Sequence, residues 1–153
     1  MPDPKYMRLA IDAARSGIAK GNHPYGAAIV REDQLICAVH NVVPGTVDAT
    51  AHAEVTAIRE ACRILHATDL TGCDIYCTCE PCAMCFSAIH WANFKTAIFG
   101  AAIPDKDPFG LFDIGPRAAD LLTKMRKPVV LVSEFLRDEC VPLFAEFTSR
   151  RPL

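Results

Sequence analysis

The chain has 153 residues, 51% hydrophobic and 22% charged, with a formal net charge of −2. That suits one domain over residues 1–153 with enough apolar material for a core, and the slightly acidic balance counts against a polybasic nucleic-acid tail. No apolar run approaches the ~18 residues of a membrane span, and the opening MPDPKYMRLA lacks the pattern of a secretory signal.

Tyr6, Leu9, Ala10, Ala13 and Ile18 recur near a helical spacing and predict a first helix over residues 5–20. Gly21-Asn22-His23-Pro24 stops it. Residues 26–31 and 34–39 read as strands, and the short link Glu32-Asp33 makes them a hairpin. A polar stretch with Pro44, Gly45 and Asp48 leads into a second helix over 51–66, whose Val55, Ile58, Cys62 and Leu65 share one face. Residues 74–78 read as a buried strand. Pro81 opens a third helix, because a first helical turn tolerates its missing N–H. Residues 95–100 form a further strand, followed by a loop with Pro104, Asp105, Asp107 and Pro108. A helix over 115–126, a strand over 128–133 and a final helix presenting Leu136, Cys140, Leu143, Phe144 and Phe147 complete the chain. Alternation of strands and helices after the hairpin predicts an α/β chain, with a mixed sheet between helices in three α/β/α layers.

Eight cysteines without a secretory signal point to a reducing, cytoplasmic setting in which thiols serve a metal and the core. Cys82 and Cys85 are three residues apart at or near the start of the third helix, so their sulfurs share a face where the helix dipole favours thiolates. His52 stands at the start of the second helix. These three donors can hold zinc and leave the fourth tetrahedral position for water. Glu54, two residues after the histidine, is placed to move protons rather than bind metal. Alone, Cys-x-x-Cys is often redox-active or structural, and a histidine opening a helix is often a polar cap. In this order on these elements they specify a catalytic zinc. Cys79 is near enough by spacing to compete as a ligand. Cys77 lies in an apolar strand and reads as core, and Cys37, Cys62, Cys73 and Cys140 read as packing.

The run Thr50-Ala51-His52-Ala53-Glu54-Val55-Thr56-Ala57-Ile58-Arg59-Glu60-Ala61-Cys62, the run Cys79-Glu80-Pro81-Cys82-Ala83-Met84-Cys85 and its extension Ser87-Ala88-Ile89-His90-Trp91-Ala92 resemble the cytidine deaminase superfamily. Within it, the chain is similar to the guanine-deaminase-like branch over residues 5–100. The resemblance implies Zn2+ as cofactor, His52, Cys82 and Cys85 as its ligands, and Glu54 as the proton shuttle. It also implies about five strands between helices and assembly as a homodimer.

Asn41, eleven residues before His52, falls where this branch places an asparagine that reads the base. Its amide offers both a donor and an acceptor, although asparagine also favours turns after strands. Tyr25 falls where the family has an aromatic near the base, and packing at a strand entrance is the other reading. Trp91 lies about 240° around a helix from Cys85, which turns it toward the core or a subunit interface. The branch carries Gly-Phe-Asp-Asp where this chain has Phe109-Gly110-Leu111-Phe112-Asp113-Ile114. Asp113 can take the first aspartate position and Ile114 replaces the second. Asp107 is another candidate acid, and either carboxylate can equally be a solvated loop residue. The aromatic C-terminal end of the branch is missing, and the chain closes with Arg150-Arg151-Pro152-Leu153. The tail from Phe135 through Arg151 instead resembles bacterial tRNA adenosine deaminases, and Arg150 and Arg151 can touch phosphates or form a solvated helix end. Those enzymes' Asp-x-Lys-x-Gly-Ala loop is only partly echoed by residues 103–108.

The expected activity is zinc-dependent hydrolytic deamination of a free purine-like nucleobase or nucleoside, guanine or a related amino-heterocycle, with release of ammonia. A tRNA-specific adenosine deaminase forming inosine is the alternative. The acidic balance counts against it, because tRNA affinity depends on phosphate neutralisation. A non-catalytic zinc module would need a closed four-ligand site, recruiting Cys79.

Overall fold

The computed structural model describes residues 1–113, 115–127 and 129–150. Helix α1 (Pro4–Ala19) starts at Asp3, whose carboxylate accepts from the Lys5 N–H at 2.9 Å. Its Met7, Ala10, Ile11, Ala14 and Ile18 form a buried stripe. Strands β1 (Gly26–Arg31) and β2 (Gln34–His40) form the expected hairpin. Glu32 and Asp33 both take positive φ, 51° and 57°, which a tight two-residue hairpin turn requires. A short helix α2 (Val43–Thr46) precedes α3 (Ala53–Leu65), β3 (Cys73–Cys79), α4 (Ala83–Trp91) and β4 (Thr96–Ala101). A 3₁₀ helix (Ile103–Phe109), α5 (Ala118–Leu122), β5 (Val130–Val132), α6 (Arg137–Cys140) and α7 (Pro142–Thr148) follow.

The five strands form one mixed sheet in the order β2-β1-β3-β4-β5. β1 is antiparallel to both β2 and β3, while β3, β4 and β5 run parallel. One face packs Ile29, Ile75, Cys77, Ala97 and Phe99 against Ala57 and Ala61 of α3 and Phe86 and Ile89 of α4. The other packs Ala28, Val30, Tyr76 and Ile98 against α1 and against Leu143, Phe144 and Phe147 of α7. This is the α/β/α arrangement expected from the alternating pattern. Among the described residues no helix is long and apolar enough to cross a membrane.

Strand direction decides where the chemistry sits. β2 and β3 both run opposite to β1, so their C-terminal ends meet at one edge, where His40 lies opposite Gly26 and Ala27 opposite Cys77. α3 begins beyond the end of β2 and α4 beyond the end of β3, so both helix N-termini open at this edge. β4 ends there too, with Ala101 beside Cys79. Gly26 lets α1 lie directly on this part of the sheet: a methyl group there would collide with the Ala10 carbonyl oxygen.

Four expected elements differ. The helix over 115–126 shrinks to α5, because Gly115-Pro116 delays its start until Asp120 caps the Arg117 N–H at 3.1 Å. The Thr123 hydroxyl donates to the Asp120 carbonyl at 2.7 Å just past the end of α5. The strand over 128–133 is only Val130–Val132, and Pro128 lies outside the described residues. The final helix is broken into α6 and α7 at Pro142, which has no N–H to continue the ladder. The expected loop with Pro104 and Pro108 is instead the 3₁₀ helix. Asp105 caps it by accepting from the Ala102 N–H at 2.8 Å, and Arg137 grips the same carboxylate at 2.7 Å.

Candidate active site

His52 is the N-cap of α3 and Cys82 the N-cap of α4, both with extended backbone. Pro81 therefore stands one residue before the cap rather than inside the helix. Cys85 follows in the first turn of α4 and is fully buried. The ligand atoms of His52, Cys82 and Cys85 all lie within 4.8 Å of one another. Cys79 is buried beside this cluster on the cavity wall but is not a member of it. Cys77 is core, and all eight cysteines are free.

The donor set fits zinc on two grounds. Tetrahedral bonds of ~2.05 Å to nitrogen and ~2.3 Å to sulfur place those atoms about 3.6 Å apart. His52 Nδ1 and Cys82 Sγ are 3.6 Å apart. The second ground is charge. The hydrogen bond from Cys85 and that from His52 pull the Cys82 thiol down to about 4 against the cost of its burial. The same bond to Cys82, with burial, pushes the Cys85 thiol far up. The Cys82 sulfur likewise raises His52. Two sulfurs this close cannot both ionise unaided, and a divalent cation among them supplies the charge that lets them do so.

Glu54 sits in the first turn of α3, only 7% exposed, and reaches the same cavity. Burial lifts its carboxyl to about 7, and its own backbone N–H works in the opposite direction. It is therefore poised to take and return a proton near neutrality.

His52, Glu54 and Cys82 form part of the wall of a cavity of about 600 Å³ that His23, Tyr25, Met84, Leu111 and Phe112 also line. Tyr25 satisfies both of its readings: its ring lies 6.3 Å from that of Phe144, and it borders the cavity. Asp113 is not a solvated loop carboxylate. It lines the cavity and pairs with Lys106 at 3.4 Å. Asp107 is exposed and away from the wall, and Ile114 lies outside the described residues. Trp91 is 87% exposed, which rules out the core reading. Arg150 is exposed, and Arg151, Pro152 and Leu153 lie outside the described residues.

Asn41 is only 1% exposed and is not among the described residues that line the cavity. Its Oδ1 accepts from the Val43 N–H at 3.0 Å, while Nδ2 has no partner among the described residues. The expectation that it offers both a donor and an acceptor therefore narrows to a donor. Lys106 and the buried Glu80 are cavity residues that the motifs did not reveal. Glu80 was visible inside Cys79-Glu80-Pro81-Cys82, but its partner Arg117 is 37 residues away.

A mixed sheet with a histidine, two cysteines and a buried glutamate gathered at its strand ends defines a zinc-dependent hydrolytic deaminase. The chain belongs to the family described as the cytidine and deoxycytidylate deaminase zinc-binding region, whose family model matches residues 1–101. It is 41% identical over 109 residues to guanine deaminase of Bacillus subtilis, covering 71% of this chain and 70% of that enzyme. It is 33% identical over 147 residues to the tRNA-specific adenosine deaminase of the same organism, covering 95% of this chain and 88% of that one. Among solved structures, guanine deaminase from Nitrosomonas europaea superposes with a TM-score of 0.86 at 26% identity, over 97% of this chain and 86% of that one.

Proposed function

We propose that residues 1–153 work as one domain that deaminates a free amino-heterocycle of the guanine type by hydrolysis. His52, Cys82 and Cys85 hold the zinc. When bound there, the metal supplies Lewis-acid activation of water. Glu54 takes a proton from that water and delivers it to the ring nitrogen beside the amino-bearing carbon; it then takes the second proton from the hydroxyl added to that carbon and passes it to the amine, so that the carbonyl forms as the C–N bond breaks and ammonia leaves. Asn41 lies outside the cavity lining, and its contact with the base, a donation from Nδ2 to a ring acceptor, requires the wall around it to shift on binding. Met84, Leu111 and Phe112 shield the ring from bulk water.

The observation that carries this reading is the buried Glu54 carboxylate on the wall of a cavity, beside a three-donor cluster. The cavity's size, about 600 Å³, is in the range of small-molecule sites. Zinc-loaded protein is expected to release ammonia from members of a purine, pyrimidine, pterin and triazine panel. Glu54→Gln should lower turnover roughly 10²- to 10⁴-fold with zinc content unchanged. No ammonia from any base in the panel would refute the reading.

One observation favours tRNA adenosine deamination as a second reading. Sequence similarity to the Bacillus subtilis tRNA-specific enzyme extends over 95% of the chain, against 71% for guanine deaminase of the same organism. Salt-sensitive tRNA binding with inosine formation would mark that activity. A cytoplasmic homodimer completes the proposal. Exposed Met84 and Trp91 lie seven residues apart, on one side of α4, and supply an apolar face for the partner.

A further inference from the structure

The chain following β4 brings a sheltered cation to the cavity. Lys106, on the 3₁₀ helix, is only 6% exposed and lines the cavity. Its Nζ lies 3.4 Å from Asp113 Oδ2 and 5.6 Å from the centre of the Tyr25 ring. The Asp113 side chain is itself only 15% exposed, and its Oδ1 accepts from the Gly115 N–H at 3.2 Å.

An ammonium has three N–H donors. One serves Asp113, and the Tyr25 face attracts the charge without giving a lone pair. A cation withdrawn from water needs acceptors for its other donors, and the cavity is where Lys106 finds them. The occupant's chemistry follows from the pair's charge. Lys106 and Asp113 together are neutral, so a phosphate approaching the ammonium would also meet a carboxylate. A carbonyl oxygen accepts from the ammonium with far less repulsion, while an unsubstituted ring carbon offers no acceptor.

We propose that Lys106 is a specificity-determining residue whose ammonium donates a hydrogen bond to the exocyclic oxygen of an oxo-heterocycle, with Asp113 as its positioning residue. This rests on the reading of the site as one for a free base, and it adds which bases are chosen. The site binds an oxopurine better than the same ring without oxygen, because a bare ring would leave a buried donor unpaired.

Hypoxanthine and purine differ by the oxo group, and neither carries an amino group, so calorimetry with the zinc-loaded protein separates recognition from turnover. The wild type is expected to prefer hypoxanthine. Lys106→Met should weaken hypoxanthine binding roughly 10- to 100-fold and purine binding much less, and Lys106→Arg should recover part of the preference. Asp113→Asn should lower it to a smaller extent. In ammonia release, guanine should lose more kcat/KM than 2-aminopurine in Lys106→Met. Equal loss for hypoxanthine and purine, or no wild-type preference, overturns the proposal. If Lys106→Met does not fold, the wild-type preference and Lys106→Arg decide the same point. Lys106-dependent hypoxanthine binding without ammonia release from any base would refute the deamination reading alone. Ammonia release with no role for Lys106 in oxo preference would refute this proposal alone.

Discussion

Arg117→Met should destabilise the protein through Glu80. The Glu80 side chain is almost wholly buried, and five contacts among the described residues hold it, one of them from Arg117 Nη2 to Oε2. Arg117 Nε lies 2.9 and 2.7 Å from its two oxygens, the Ala118 N–H donates at 3.1 Å, and the Ile103 N–H donates at 3.2 Å. Removing one partner of a buried ion pair costs about 3–5 kcal/mol. Here the Arg117 side chain is 40% exposed, so solvent already screens part of the attraction, and both backbone donors remain. The loss should therefore be about 2–3 kcal/mol, a fall in melting temperature of about 4–12 °C for a chain of this size. Urea unfolding followed by far-ultraviolet circular dichroism measures it. Adding Glu80→Gln should restore part of the loss, because the orphaned charge is gone. The coupling between the two changes should then exceed about 1 kcal/mol. A loss below about 0.5 kcal/mol, or strict additivity, would refute the reasoning.

Gly26→Ala should cost about 1–3 kcal/mol or more, because the new methyl meets the Ala10 carbonyl oxygen, and neighbouring Tyr25 should shift enough to raise KM; denaturant midpoints and steady-state kinetics test both. Arg137 beside Asp105 holds that carboxyl below the usual carboxylate range. The stability this gives is fully present above pH ~4 and is lost as pH falls through the lower folded value. The urea-midpoint gap between wild type and Asp105→Asn should therefore be constant near neutrality and close in acid; a gap that widened in acid would contradict the assignment. Dialysis against a zinc chelator should abolish turnover and lower the melting temperature, and Cys82→Ser should lower zinc content in elemental analysis of the purified protein.

Much of the fold was legible because its strands are apolar and sharply bounded. The turn at Glu32-Asp33 and the stop around Gly21 fall where side-chain pattern and backbone agree. The metal cluster was legible because three unusual residue types occupy fixed offsets at two helix starts. The region after β4 was not. Its proline-rich stretch reads as loop, and its 3₁₀ helix depends on Arg137 gripping Asp105 from 32 residues away. Lys106 gave no local signal, since a lysine between two aspartates ordinarily faces water. Its burial follows from Asp113 and Tyr25, which the chain brings together only when folded. The same holds for Trp91: angular position on α4 separates it from the cysteines but cannot say what lies beyond the helix.

The matched family region ends at Ala101, the last residue of β4. His52, Glu54, Cys82 and Cys85 come before that point, and Lys106, Leu111, Phe112 and Asp113 come after it. One length of chain therefore carries the reaction and a separate connection supplies much of the cavity wall. That connection is clamped at defined joints, by Glu80 on Arg117 and by Asp105 on Arg137. Residues 102–117 can be treated as an exchangeable cassette. Grafting another sequence between the same joints is expected to change which substrate is accepted while the metal cluster stays in place.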